Sequence, residues 1–301
     1  MIRKHPVFFG LFILLITGFI FFLVIYGLSS LGGKRHHALS LTDKVGVVTI
    51  EGVIAESKDI VEQLDNFGRD ESIKAVVLRI DSPGGGVASS QEIYGTILEL
   101  KKSKKVVASM GSLAASGGYL IACGADKIIA NPGTITGSIS AVMHFANVEE
   151  LFKKIGVKGQ VVKSGKYKDI GSPLREMTDE ERILIQGLVD DIYDQFLDVV
   201  VQNRKIPKEE LKKLADGRIF SGRQAKQLKL VDELGDLNAA VRMAGEMSGI
   251  KGQPETVYPA KKKEPWIDFF LQGMMARMFD EIREKSAGSP GVSYIYRPSS
   301  P

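Results

Sequence analysis

The sequence predicts an α/β fold with a largely parallel sheet, preceded by one N-terminal transmembrane helix. Strand-like runs of Val, Ile and Ala alternate with segments of helical spacing through the middle of the chain, a pattern typical of βαβ units. Near the N-terminus, no charged residue occurs from Val7 to Gly33. The whole chain of 301 residues is 44% hydrophobic and 25% charged, a composition that indicates a folded protein with a sizeable core.

The charge-free segment is interpreted as a retained membrane anchor over residues 7–33, after a short tail of residues 1–6. Its apolar run Val7–Leu31 is longer than the about 20 residues that span the hydrocarbon core as a helix, and longer than the about 7 to 15 residues of a signal-peptide core. A cleaved signal peptide is the alternative, with Arg3 and Lys4 as its basic start. Basic residues flank both ends and do not fix the orientation, but the long domain that follows can still be translocated.

After a linker over residues 34–43, a single globular domain is predicted over residues 44–249. Runs rich in β-branched residues are interpreted as strands: 44–55, 73–81, 105–112 and 126–130. Helical spacing or small-residue composition predicts the intervening and following helices: 57–70, 88–103, 114–125, 178–205 and 207–217. The segment SPGGG over residues 82–86 is expected to be a loop. Thr178 and Glu181 have the spacing of a capping box, so we expect the helix over 178–205 to begin there.

The remaining residues 250–301 change in character. A linker is followed by a predicted amphipathic helix over 266–285 and a loose tail. One row of that helix is apolar: Trp266, Phe270, Met274, Met278 and Ile282. This row is expected to pack on its own domain or on a sister subunit, and the alternative is that it lies on a membrane surface.

Charge and metal-ligand content exclude several classes of function. The net charge of +4 results from 40 basic and 36 acidic residues and gives no footprint for nucleic acid. Cys123 is the single cysteine, so an intramolecular disulfide and a multi-cysteine metal site are both excluded. With four histidines in the chain, we expect no metal site and no cofactor.

Two small-residue segments are candidates for nucleophilic chemistry. SPGGG follows a buried strand, and its glycines can turn backbone N–H groups toward a ligand. GSLAASGGYL over 111–120 places Ser116 at the start of a predicted helix, with Gly117 next to it, where N–H groups can face developing negative charge. Such a segment is more often a cap, a tight turn or a phosphate cradle. The phosphate reading lacks support, because no GxxxxGK[ST] motif is present.

A nucleophilic serine needs a base within hydrogen-bond reach. Of the four histidines, only His144 lies in the predicted domain, and no GxSxG motif surrounds Ser116. A lysine is the alternative if burial lowers its pKa from about 10.4 toward neutrality. The segment QVVKSGKYKDIGSPLREMT over 160–178 offers Lys163, Lys166 and Lys168, and the residues alone do not choose among these three.

Four motifs occur in this order along the chain: VLRIDSPGGGV, MGSLAASGGYLIA, the TGSI of residues 136–139 and SGKYKDIGSPLREMT. Together they resemble the signal peptide peptidases of the Ser-Lys dyad type, the protease IV family, in their short single-domain form. The resemblance runs from about Lys44 to Gly249. It implies a Clp/crotonase-like repeated ββα spiral over this domain. The aromatic pair familiar in the family is here Tyr119-Leu120, a departure that concerns packing.

The resemblance also implies roles for individual residues. It implies that Ser116 is the nucleophile and Lys168 the general base, and that Ser138 positions the lysine. The N–H groups of Gly85 and Gly117 would form the oxyanion hole, and one chain would supply both residues of the dyad.

The implied function is a membrane-anchored serine endopeptidase that degrades cleaved signal peptides and other hydrophobic peptides through an acyl-enzyme. We expect a homo-oligomeric ring in the cell (inner) membrane, with one transmembrane pass per chain and the catalytic domain on the extracytoplasmic side. Two alternatives from other classes are a crotonase-like acyl-CoA enzyme and a non-catalytic membrane scaffold with the same fold.

Overall fold

The computed structural model describes residues 12, 14–21 and 43–260, and the backbone of 293–295. The chain divides into two units, Met1–Thr42 and Asp43–Pro301. Residues 14–21 of the first unit are helical. Within the described ranges, no helix has the length and apolar character needed to cross a membrane. Most of the predicted anchor over 7–33 and all of the predicted helix over 266–285 lie outside the described residues.

The second unit is built on one mixed sheet. The strands are β1 Lys44–Ile54, β2 Ile73–Gly86, β3 Lys105–Ala115, β4 Lys127–Ala130, β5 Ile135–Gly137, β6 Ile219–Ser221, β7 Glu233–Leu234, β8 Glu255–Val257 and β9 Ser293–Ile295. Their order is β6-β5-β3-β2-β1-β8, while β4 pairs with β3 and β7, and β9 pairs with β2. Only the β5–β6 and β2–β9 pairs found among the described strands are antiparallel. The predicted largely parallel α/β sheet is therefore confirmed.

Helices connect and cover these strands. They are α1 Lys58–Arg69, α2 Val87–Leu100, α3 Gly117–Cys123, α4 Glu149–Lys154, α5 Asp179–Arg204, α6 Lys208–Lys212, α7 Gly222–Gln227 and α8 Leu237–Met247. The predicted capping box at the start of α5 is confirmed, because the Glu181 N–H donates to Thr178 Oγ1 and the Glu181 carboxylate accepts from the Thr178 N–H.

Both faces of the central strands are buried. Alternate residues of β1 and β2 belong to two separate apolar clusters, so that Val48 and Leu78 face one and Val47 and Val77 face the other. The second cluster is closed by α8, and the first contains residues of α1, α2, α3 and α5. Burial on two sides explains why these strands are continuous apolar runs in the sequence.

The strands around the glycine segments extend further than predicted. Residues 82–86 were expected to be a loop, but β2 continues to Gly86 because Gly84 and Gly85 resume pairing with β1 after a shift in register. Ala114 and Ala115 were expected in a helix, yet they belong to β3, and α3 begins at Gly117. Small residues have low strand propensity, so the pairing with neighbouring strands decides these ends.

Two further elements differ from the sequence-based expectation. The helix predicted over 207–217 ends at Lys212. The chain also adds β8 to the sheet beyond the predicted domain end at residue 249, pairing alongside β1.

Candidate active site

Ser116 occupies a sharp turn between β3 and α3. Its φ of 54° and ψ of −119° are unusual for a residue with a side chain. The Ser116 N–H donates to the Gly137 carbonyl at 2.8 Å, and its carbonyl accepts from the Leu120 N–H at 2.9 Å. The residue is 1% exposed. Surrounding backbone bonds therefore hold the serine in a strained conformation, which is often found at functional sites.

Two consecutive residues with positive φ lie beside Ser116. Strand β5 pairs with the end of β3, with Ala115 opposite Gly137. Gly137 has a φ of 86° and Ser138 a φ of 51°. The Ser138 N–H donates to the Arg218 carbonyl at 2.8 Å, which fixes the turn after β5. The structure thus places Ser116 and Ser138 at the ends of neighbouring strands.

The glycine segment of β2 approaches the same region. A Cβ on Gly85 would lie 2.2 Å from the Ile54 carbonyl oxygen, so only glycine fits there. A Cβ on Gly118 would lie 3.1 Å from the Ser82 carbonyl oxygen, which shows how closely α3 packs against this segment. Gly117 is fully buried within the first turn of α3. Gly85 and Gly117 therefore belong to two backbone segments that pack against each other.

The strand β9 pairs with the glycine segment. Its backbone runs antiparallel to β2, with Tyr294 opposite Gly85, Ser293 opposite Gly86 and Ile295 opposite Gly84. Since β1 occupies the other edge of β2, β9 lies on the side that β3 leaves after Ala114. Strand β9 also contacts α3. The glycine segment thus accepts an extended peptide backbone next to the helix that follows Ser116.

The three candidate lysines differ in their partners. Lys163 Nζ forms an ion pair with Asp169 and donates to the Lys166 carbonyl at 2.9 Å. Lys166 Nζ forms an ion pair with Glu180, which raises the pKa of that lysine. Lys168 is exposed, and across residues 43–260 its Nζ makes no hydrogen bond or ion pair, including with Ser116. The structure does not bring the predicted dyad into direct contact within the described chain.

An ion-pair network holds the turn that carries Lys168. Arg175 donates to Asp169 at 2.9 and 3.0 Å and to Glu181 at 2.5 and 2.8 Å. The Arg175 guanidinium holds the pKa of Asp169 well below its usual range and lowers the pKa of Glu181 to about 2. The turn is thereby fixed to the start of α5. Sequence reasoning missed this network, although the charges between 163 and 181 were its signal.

Other potential reactive groups are poorly suited to catalysis. Cys123 is buried, and desolvation raises the pKa of its thiol to about 12, so it stays protonated and unreactive. His144 is exposed and has no hydrogen bond to Ser116. In the part of the chain that is described, no group of three or more His, Cys, Asp or Glu side chains has the arrangement of a metal site.

Comparison with known proteins gives two family matches. The model of Peptidase family S49 matches residues 99–251, and the model of Clp protease matches residues 37–135. A putative protease of Synechocystis sp. is 44% identical over 213 residues, which cover 70% of this chain and 76% of that protein. A putative signal peptide peptidase SppA of Enterococcus faecium is 34% identical over 226 residues, covering 70% and 66% of the two chains. The chloroplastic serine protease SPPA of Arabidopsis thaliana is 31% identical over 225 residues, covering 73% and 33%.

A Clp-like α/β domain with a buried serine at a strained turn, together with these relatives, defines the class of the protein as a serine peptidase. The chain belongs to peptidase family S49. The resemblance predicted from the four motifs is therefore confirmed, as is the Clp-like α/β domain.

Proposed function

We propose that this serine peptidase is a membrane-anchored endopeptidase that degrades cleaved signal peptides and other hydrophobic peptides. In this proposal Ser116 is the nucleophile and Lys168 the general base. The observation that carries it is the turn at Ser116, where backbone hydrogen bonds hold a buried serine at a positive φ beside a glycine-built strand. The E. faecium relative, a putative signal peptide peptidase, supports the substrate class.

The proposed reaction is acyl transfer to the serine. A neutral Lys168 amine removes the Ser116 hydroxyl proton, and the serine oxygen attacks the peptide carbonyl to form a tetrahedral oxyanion. The N–H groups of Gly85 and Gly117 donate to that oxyanion. Lys168 then returns the proton to the leaving amine, which leaves an acyl-enzyme. Water, activated by the same amine, attacks the ester to form a second tetrahedral intermediate. Collapse of this intermediate releases the acid and restores Ser116.

The ion pairs favour Lys168 over its neighbours as the base. The ion pair with Glu180 raises the pKa of Lys166 and favours its charged amine, which cannot accept a proton. The Lys163 amine is already engaged by Asp169 and by the Lys166 carbonyl. Lys168 has no carboxylate partner within the described ranges. Ser138, at the neighbouring strand end, is proposed to accept a hydrogen bond from the lysine and hold it in place.

A homo-oligomeric ring is proposed to complete the surroundings of the lysine. Lys168 is exposed in the single chain, whereas a neutral lysine requires removal from water. Apolar side chains of α4, of the residue that follows it and of the first half of α5 are exposed and would be covered by a second copy of the chain: Leu151, Ile155, Ile183, Leu184 and Leu188. Packing of neighbouring subunits would then desolvate the site.

A peptide substrate is proposed to bind as an extended strand along Gly84–Gly86. The antiparallel pairing of β9 with this segment supports the proposal, because it shows a backbone of the same geometry on that edge. Strand addition provides main-chain hydrogen bonds that do not depend on the peptide sequence. This would suit an enzyme that acts on many hydrophobic peptides.

The membrane location is proposed from the sequence of residues 7–33. The proposal is a single transmembrane pass in the cell (inner) membrane with the catalytic domain on the extracytoplasmic side, close to where signal peptides are released; the length of the domain permits its translocation.

Two alanine substitutions test the chemistry. Ser116→Ala and Lys168→Ala are each expected to lower kcat for a hydrophobic peptide by at least about 10³-fold, because the two groups act as a unit. Ser112→Ala and Lys213→Ala serve as controls, since both residues are exposed and both should retain full activity. Near-UV circular dichroism and size-exclusion chromatography show whether fold and assembly are unchanged.

Covalent labelling separates the alternatives. A fluorophosphonate should label the wild-type protein at Ser116 and should not label Ser116→Ala. Hydrolysis of an acyl-CoA without peptide cleavage would indicate the crotonase-like enzyme. A folded protein with neither activity and no labelling would indicate the scaffold. Full peptide hydrolysis by either alanine variant would overturn the dyad.

A further inference from the structure

Strand β2 contains a bulge immediately before its glycine segment. Glu51 pairs with Asp81, and the next paired residues are Val53 and Gly84, so β2 holds one more residue than β1 over this interval. A bulge interrupts the ladder and leaves backbone groups without their regular partners. Any such group that is buried needs a replacement hydrogen bond.

Pro83 removes one more backbone hydrogen bond from this part of β2, because proline has no N–H to donate. The carbonyl of Gly52, which lies opposite the bulge, instead accepts a hydrogen bond from Ser82 Oγ at 2.6 Å. The same hydroxyl oxygen accepts from the Gly84 N–H at 3.1 Å. Ser82 is fully buried. Its hydroxyl therefore bridges the two backbone groups that the bulge and the proline separate.

This bridge acts on the residue before the proposed oxyanion donor. Gly84 has a φ of 98°, and its N–H direction is set by the bond to Ser82 Oγ. The N–H of Gly85 belongs to the next peptide unit, so its direction follows from the Gly84 torsions. We propose that Ser82 is a positioning residue for peptide hydrolysis, whose hydroxyl holds the Gly84–Gly85 peptide so that the Gly85 N–H points at the oxyanion. This inference rests on the proposed function.

The neighbouring residue secures the other side of β2. Strand β3 has its own irregularity where Ile80 pairs with Met110 and Ser82 pairs with Ala114. In that interval the Asp81 carboxylate accepts from the N–H groups of two β3 residues, at 3.1 and 3.2 Å. Since β3 leads directly to the nucleophile, the segment that carries Ser82 is fixed both to β1 and to the strand before Ser116.

The substitution Ser82→Ala removes the bridge and leaves two buried backbone groups without their partner. Loss or misplacement of one oxyanion donor lowers kcat by about 10- to 1,000-fold in other enzymes. We expect kcat for a peptide substrate to fall by about 10- to 100-fold, with KM changed by less than about twofold, because the donor acts on the transition state. A peptide aldehyde, which forms a tetrahedral adduct with serine, should bind more weakly by the same factor as kcat.

Ser109→Ala is the matched control. Ser109 is a buried serine of the adjacent strand, and its hydroxyl accepts a hydrogen bond from Arg79 at 3.1 Å. This variant should lose stability as Ser82→Ala does, while kcat and aldehyde binding stay at wild-type values. If Ser82→Ala does not fold, Ser82→Cys fills nearly the same space with a weak donor and should fold with kcat reduced by about tenfold.

Two results would overturn the positioning role. One is wild-type kcat and aldehyde affinity in a folded Ser82→Ala or Ser82→Cys variant. The other is a loss of kcat in Ser109→Ala equal to that in Ser82→Ala, which would indicate a general effect of strand stability. Failure of the proposed function is distinguishable, because it would show as peptide hydrolysis by Ser116→Ala, whatever Ser82 does.

Discussion

The two halves of the candidate site are held by different forces. Ser116, Gly85 and Ser138 lie in buried segments whose geometry is fixed by main-chain pairing and by bonds to backbone carbonyls. Lys168 lies on an exposed turn that charged side chains attach to α5. The serine half, which comprises Ser116, Gly85 and Ser138, is therefore formed by the sheet in a single chain. The position of the lysine half, which comprises Lys168 and its turn, depends on the ionisation of the charged side chains that hold the turn. Substitutions that add atoms to tightly packed backbone should disable the serine half, and changes in charge or pH should affect the lysine half.

The largest effect is expected from a methyl group in the serine half. A Cβ on Gly85 would lie 2.2 Å from a backbone oxygen of β1, which has no room to move aside. Gly85→Ala should therefore displace the proposed oxyanion donor and lower kcat by about 10²- to 10³-fold. Steady-state kinetics with a peptide substrate measure this effect.

A glycine outside the site provides a matched control for that substitution. Gly95 lies within α2, and an added Cβ would meet no heavy atom of residues 43–260 within 4 Å outside its own helix. Gly95→Ala should keep kcat within about threefold of wild type, because alanine within a helix is more favourable than glycine by about 1 kcal/mol. Equal losses in both variants would contradict the steric account of the serine half.

A smaller effect is expected from removing the central cation of the lysine half. Arg175→Met deletes the partner of Asp169 and Glu181, so the turn that carries Lys168 loses its attachment to α5. We expect kcat to fall by about tenfold, less than the about 10²- to 10⁴-fold contribution of a general base, because the proposed base is displaced and not removed. Lys212→Met, which breaks only an exposed pair with Glu209, should leave kcat unchanged.

The same variant should show a characteristic pH dependence of stability. In the wild type the pKa of Glu181 is lowered to about 2 and that of Asp169 is also lowered, so the folded state binds fewer protons than the unfolded state below about pH 4. This stabilisation is fully present above about pH 5 and is lost as the pH falls toward 2. The difference in Tm between wild type and Arg175→Met should therefore be constant from pH 5 to 7 and shrink at lower pH. A difference that grows on acidification would contradict the network.

Sequence reasoning reached the two halves unequally. Ser116 and the glycine segment could be named as candidates because small residues allow the backbone to come close to a ligand. The strand character of Ala114 and Ala115 was missed, since it depends on pairing with β5 and not on the residues themselves. The Arg175 network was missed because its partners meet only through the folded turn. Pairing of β8 and β9 with distant strands had no local signal for the same reason.

The smallest effect concerns the edge where the two halves would meet the substrate. If β9 occupies the edge proposed for the peptide, part of the free enzyme is closed to substrate, and KM is raised by the inverse of the open fraction. Removing residues 293–301 should then lower KM by about twofold to tenfold and leave kcat unchanged. Removing only residues 297–301 retains β9 and should leave KM at the wild-type value.

A peptide copy of residues 290–298, added to the enzyme that lacks residues 293–301, should act as a competitive inhibitor. If the two truncations gave the same KM, or if the peptide inhibited without competing with substrate, the edge beside Gly85 would not be where substrate binds.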